Sequence, residues 1–237
     1  MRQTLNLFRI GMRQITRDGM LFVLLPAPFL VGMVLKFALP VAGRVLEDTL
    51  SFSLSPWYAL VDGLLACLTP AFVAMISAFL LLEERDEGIS AFYQISPAQG
   101  YPYLAARMAL PMIWALVSTI AALILFNLSA LPMGLILAAA LVGALTGLAI
   151  AMMVVSIAGN RVEGLALSKL MGVSFLGLVF IWFVPEPAAW LSAWLPSFWI
   201  GKLMRDGADP FNIIPGLAVS LIWIAIFTRK FLNRIQY

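Results

Sequence analysis

Six blocks of nearly continuous apolar residues constrain this chain more than any other feature. They lie at about 19–40, 57–82, 103–127, 132–157, 165–185 and 211–228. Each is close to the ~20 residues that an α-helix needs to cross a hydrocarbon core. A single soluble core cannot use apolar residues in blocks of that length. Composition agrees: 62% of the 237 residues are hydrophobic and 11% are charged, where a soluble domain carries about 25% charged residues. The mean hydropathy is +0.99. The expected fold class is all-α: a polytopic membrane protein forming one transmembrane domain over residues 1–237, with the six blocks as its spans. Pro26, Pro28, Pro70 and Pro111 fall inside blocks and predict kinks, with neighbouring helices satisfying the freed carbonyls.

Charge orients these spans. With the N-terminus assigned to one side, eleven of the fifteen Lys and Arg residues fall on that side. Only Lys36, Arg44, Lys202 and Arg205 fall on the other. Basic residues concentrate on the cytoplasmic side of a membrane protein, so both termini are expected in the cytoplasm, and an even number of spans agrees. The chain is expected to be a multi-pass protein of the cytoplasmic (inner) membrane. Residues 1–18 do not read as a cleavable signal peptide, because their basic region is too long. On a helical wheel Leu5, Phe8, Met12 and Ile15 share one sector and Arg2, Arg9, Arg13 and Arg17 an adjacent one. That pattern predicts an amphipathic helix lying on the lipid headgroups; a plain positive anchor remains the alternative.

Several chemistries are excluded at this level. The chain has no histidine and one cysteine, Cys67, inside an apolar block. It can form neither an intrachain disulfide nor a Cys/His metal cage, so no metal and no cofactor is expected. A net charge of +3 is too small to indicate nucleic acid. Gly159 and Gly164 stand at Walker A spacing, but Leu165 occupies the place of the lysine that reaches the phosphates. An intramembrane enzyme would need a catalytic pair or a metal at membrane depth, and the spans supply neither, so no catalytic residue is assigned. A self-contained secondary carrier or an accessory scaffold remains the alternative to a driven permease.

The most charged stretch is Leu81–Tyr101, LLEERDEGISAFYQISPAQGY. Glu83, Glu84, Asp86 and Glu87 surround Arg85, and Gly88 follows. Ile89, Phe92 and Ile95 are spaced for one face of a two-turn helix, which Ser96-Pro97 stops. A solvated loop is the simpler reading. The order of these residues nevertheless resembles the cytoplasmic loop of type-2 ABC exporter permeases, in which an acidic stretch with glycine precedes a short coupling helix, a Ser/Thr-Pro turn and a basic residue. Glu84, Asp86 and Gly88 match the first part, Ser96 and Pro97 the turn, and Arg107 the basic residue at the next span. Ile89 stands where that family usually has Thr, and Asp86 where it has Glu. The resemblance extends over nearly the whole length. It implies a coupling element at 84–97, a separate cytoplasmic ABC ATPase subunit as partner, and a second permease subunit, identical or different. The loop around Arg161 and Glu163 would make a second, smaller ATPase contact.

Two further features could bear on a translocation path. Asp62 is the one carboxylate inside an apolar block. Ionisable groups within membranes are functional candidates, but Asp62 lies near the start of its block, so a structural role at the interface is the simpler reading and a substrate or gating contact the alternative. Trp190, Trp194 and Phe198 recur at i, i+4 and i+8 and would share one helical face unless Pro196 breaks the helix. They read either as an interfacial aromatic belt or as an outer, re-entrant helix gating an exit. Gly143 and Gly147 provide a small-xxx-small pattern for close helix packing.

Overall fold

The computed structural model describes residues 18–88 and 101–235. Within them the chain is helical, with no strand among the described residues. Ten α-helices follow in order: α1 Gly19–Leu24, α2 Ala27–Leu50, α3 Tyr58–Asp86, α4 Tyr101–Phe126, α5 Met133–Ile157, α6 Arg161–Ser168, α7 Met171–Ser174, α8 Leu176–Phe183, α9 Pro196–Asp206 and α10 Pro210–Ile235. Two 3-10 turns, Ser55–Trp57 and Ala188–Ser192, lead into α3 and towards α9. The chain is an all-α polytopic membrane protein. Four described helices are long and apolar enough to cross a bilayer: Ala27–Leu50, Ser55–Asp86, Met133–Ile157 and Pro210–Asn233.

Proline sets several of the boundaries. Pro26 separates α1 from α2, Pro132 precedes α5, and Pro196 and Pro210 open α9 and α10. Proline suits the first turn because its missing N–H would be unpaired there anyway. The block expected at 19–40 is therefore interrupted after Leu24 and then runs on to Leu50. The block expected at 165–185 is not one helix. It is divided among α6, α7 and α8, and glycines at 164, 172 and 177 punctuate it. The block expected at 211–228 continues as helix to Ile235. The expected interfacial helix at 1–18 lies, apart from Asp18, outside the described residues.

α3 and α5 form the centre. About 78% of the apolar window of each is buried, against 11% for α2 and 22% for α10. Lipid offers no hydrophobic drive for helix association, so close van der Waals contact must supply it. The contact is backbone to backbone. A Cβ added at Gly143 would stand 2.9 Å from the Ala66 carbonyl oxygen, and one at Gly147 would stand 2.7 Å from that of Pro70. Pro70 has no N–H to give the carbonyl four residues earlier, Ala66. That freed oxygen is the one facing Gly143. The glycine pair is thus used within the chain.

Packed side chains extend this centre both ways. Towards the C-terminal end of α3, Phe79 and Leu82 pack with Met152, Val154 and Phe231. Towards its N-terminal end, Leu65 packs with Leu123, Ile136, Leu178 and Leu203.

Gly147→Leu should destabilise the folded protein by about 1–3 kcal/mol, the usual cost of overpacking. Gly134→Ala, where nothing lies within 4 Å, should be neutral or slightly stabilising. Thermal unfolding of the detergent-solubilised protein measures both.

Candidate functional site

The acidic end of α3 meets the loop between α5 and α6. Arg161 opens α6 and holds three acids. Its guanidinium pairs with Asp18 and, at 3.6 Å, with Glu83, while its backbone N–H donates to Asp86 Oδ2 at 3.0 Å. Asp18 also accepts from the Leu21 N–H at 3.2 Å, which caps α1. Asn160 caps α6 by accepting from the Glu163 N–H at 2.8 Å, and the Glu163 carboxylate reaches back to the Gly159 N–H at 2.6 Å. This reciprocal arrangement is close to a capping box. Arg85 donates to the Ala158 carbonyl at 2.8 Å and lies over the Phe231 ring, 5.5 Å from its centroid. One junction therefore ties α1, α3, α5, α6 and α10.

The sequence-derived residues fall as follows. Glu84 is buried in the last turn of α3, with 1% of its surface exposed. Asp86 ends α3 and joins the junction. Gly88 follows at φ 72, a left-handed conformation that favours glycine. Its N–H bonds the Arg85 carbonyl at 3.0 Å. Arg161 and Glu163 are both engaged within the chain. Ile89, Phe92, Ser96 and Pro97 lie outside the described residues, and for Arg107 only its place on α4 is described. The contribution of Asp18 was missed: its partner is 143 residues away, and no local pattern marks such a pair.

Asp62 serves the opposite end. It is buried, and its carboxylate accepts from the N–H groups of Leu128 and Ser129, each at 2.9 Å, and from the Ser129 hydroxyl. Lys36 donates to the neighbouring Asn127 carbonyl at 3.0 Å. Together they satisfy the backbone of the turn between α4 and α5. Both Asp62 oxygens are occupied, the geometry of the structural reading.

The aromatic segment does not form one helical face. Trp190 sits in the 3-10 turn and Pro196 starts a new helix, so the i, i+4, i+8 register is broken. Trp190 touches Phe198, with ring centroids 5.4 Å apart, whereas Trp194 turns to Trp223 at 5.6 Å. The path of the chain is re-entrant. Beyond α8 it doubles back, so that α9 runs alongside α8 in the same direction: Ser197 bonds the Ser174 carbonyl, and Arg205 bonds the Ile181 carbonyl at 2.9 Å. The close approach occurs at Gly177, where an added Cβ would be 2.5 Å from the Phe198 nitrogen. The reversal at Trp194–Pro196 reaches the level of Ala149 and Ile150, deep along α5. There it borders a cavity of about 230 Å³.

A charge cluster fixes the far end of this re-entrant unit. Lys202 pairs with Glu186 at 3.2 Å and Asp206 at 2.7 Å, and its ammonium lies 5.2 Å from the Trp190 ring centroid. Arg205 pairs with Glu186 at 2.7 Å and Asp206 at 2.9 Å. Hydrogen bonds from Arg205, then Lys202, hold the Glu186 carboxyl below its ordinary range. At Asp206 burial pushes the value up, but hydrogen bonds from Arg205 and Lys202 more than offset it, and the net direction is down.

A bundle of bilayer-length helices with a re-entrant unit at one end and a charged junction at the other defines a polytopic membrane protein. The chain belongs to the family described as fluoroquinolones export permease protein Rv2686c-like, whose sequence model matches residues 11–231. It is similar to the fluoroquinolones export permease proteins Rv2686c and MT2760 of Mycobacterium tuberculosis, from strains H37Rv and CDC 1551. Each is 24% identical over 94% of this chain and 91% of the relative. Among solved structures none matches. The chain is thus an export permease.

A pH dependence follows from the Lys202–Arg205 cluster. Carboxyls with lowered folded values add stability above their ordinary values, near pH 4, and lose it as pH falls through the folded ones. Glu186→Gln should therefore lower the thermal midpoint at neutral pH. The gap to wild type should close below about pH 4, as tryptophan fluorescence melts would show.

Proposed function

We propose that the chain is the transmembrane half of an ATP-driven ABC exporter in the cytoplasmic membrane. It works with a separate ATPase subunit and a second permease subunit, identical or different. The end bearing Arg161 faces the cytoplasm, as the distribution of basic residues suggests, and both termini lie on that side. The cargo is a hydrophobic or amphipathic small molecule. The printed names of the two relatives support a fluoroquinolone-like compound, and the apolar interior suits it.

The observation that carries this reading is the junction at Arg161. The segment 84–97 leaves α3 directly beside it, through Asp86 and Gly88. A displacement of that segment by an ATPase would reach α1, α3 and α6 together, because one guanidinium and one N–H bind acids from α3 and from the cap of α1. Glu84, Asp86, Gly88, Ile89, Phe92, Ser96, Pro97 and Arg107 form the proposed coupling element. Arg161 and Glu163 hold its base, and Glu163 is the more exposed towards a partner. The chain supplies motion and a path; the bond-breaking chemistry belongs to the ATPase.

The test is purification from the native host, followed by reconstitution with any ATPase subunit that accompanies it. The ATPase should co-purify with wild type. Arg161→Ala and Gly88→Val should leave ATP hydrolysis running while drug transport falls about tenfold, the size of a typical coupling free energy. Absence of any associated ATPase, or transport unaffected by both substitutions, would overturn the reading.

A further inference from the structure

The cavity at the tip of the re-entrant unit has features of a binding site. Its volume, about 230 Å³, exceeds the roughly 150 Å³ that accommodates one benzene ring in a protein interior. Two fused rings with small substituents fit that space. One wall is aromatic: Trp223 and Phe227 are stacked, 5.3 Å apart at 26°, and Trp194 lies 5.6 Å from Trp223, tilted at 35°. The Trp223 N–H donates to the Trp194 carbonyl at 2.7 Å, which fixes the plane of that indole. Trp194 keeps 57% of its surface exposed, so the stack has room for a further ring at offset-stacking distance. The facing wall is aliphatic and thioether, from Ala149, Ile150 and Met153.

The polar groups are few. Thr146 and Ser174 border it, but the Thr146 hydroxyl donates to the Val142 carbonyl at 2.8 Å, and no charged side chain lines it. A ligand with an uncompensated charge would be desolvated there without a partner, so the site selects a flat ring system that is neutral overall. A flexible acyl chain could fill the space, but it would gain nothing from pre-oriented aromatic planes. The position adds a consequence. Leu195 and Pro196 line the cavity and open α9, so an occupant touches the point at which the re-entrant segment reverses.

We propose that this half-open cavity, formed within one subunit by α5, α7, α10 and the Trp194–Pro196 reversal, is a recognition site for a flat, net-neutral aromatic amphiphile. The site deepens the export reading and rests on it for its place in transport. Occupancy is sensed at the turn into α9, whose far end carries the charge cluster of Lys202 and Arg205.

Binding can be measured without the ATPase. The full-length permease in lipid nanodiscs is titrated with a fluoroquinolone, and tryptophan fluorescence and equilibrium dialysis report the affinity. Ala149→Phe fills the cavity and should weaken binding at least about tenfold. Trp194→Ala should weaken it by a similar factor and Trp194→Phe should restore most of it, as expected for stacking. Because Ala149→Phe could perturb folding, an aryl-azide quinolone supplies a second readout on wild type, with crosslinks expected at Met153, Trp194 or Trp223. Unchanged affinity in both Ala149→Phe and Trp194→Ala, crosslinks confined to other residues, or displacement of the quinolone by added phospholipid alone would overturn the site. The two readings fail separately. Loss of the site would leave ATPase association intact, whereas a missing ATPase would leave quinolone binding in the nanodisc intact.

Discussion

Inside hydrocarbon a bare backbone N–H or C=O costs several kcal/mol, and that cost governs how this chain interrupts its helices. Several of the breaks described above are stitched by side chains. Asp62 takes the Leu128 and Ser129 amides where α4 ends, and Lys36 takes the Asn127 carbonyl beside them. Arg85 takes Ala158 at the end of α5, and Ser197 takes Ser174 between α7 and α8. Trp199 and Trp223 donate to the carbonyls of Ala193 and Trp194, and Arg205 donates to that of Ile181. Buried Asp62 and Ser197 are such stitches, whereas Thr69, Ser77, Thr119, Thr146 and Ser220 each donate to the carbonyl four residues back in their own helix.

This distribution divides the molecule by function. The α3–α5 pair, with backbones nearly touching at Gly143 and Gly147, changes shape least readily, because no side chain lies between the backbones to yield. The pieces held to the rest by side-chain ties are α6 with its junction, and the re-entrant unit from α8 to α9. They occupy opposite ends of the bundle, and the cavity between α5, α10 and the reversal at Pro196 lies between them.

Much of this was legible in the sequence, and the illegible parts share a cause. Apolar block length announced α2, α3, α5 and α10, because a bilayer leaves helices little alternative. Glu84, Asp86 and Gly88 announced the end of α3. The block at 165–185 misled, since hydropathy is the same for a spanning helix and for three short ones, and what separates them is a cap at Asn160 and contacts with α9. The tryptophan register misled for a related reason: Pro196 can sit inside a kinked helix or open a new one, and only packing decides. The partners of Arg161 and Asp62 were invisible because they lie up to 143 residues away or are plain amides. Long-range pairing leaves no local pattern.

The central claim is that ATP hydrolysis, not an ion gradient, drives export through this chain. The most direct measurement is fluoroquinolone accumulation in inside-out vesicles carrying the permease with its ATPase. The expected result is uptake that requires ATP, stops with vanadate and persists when the proton gradient is collapsed. Uptake that proceeds without ATP and vanishes with the gradient would contradict it.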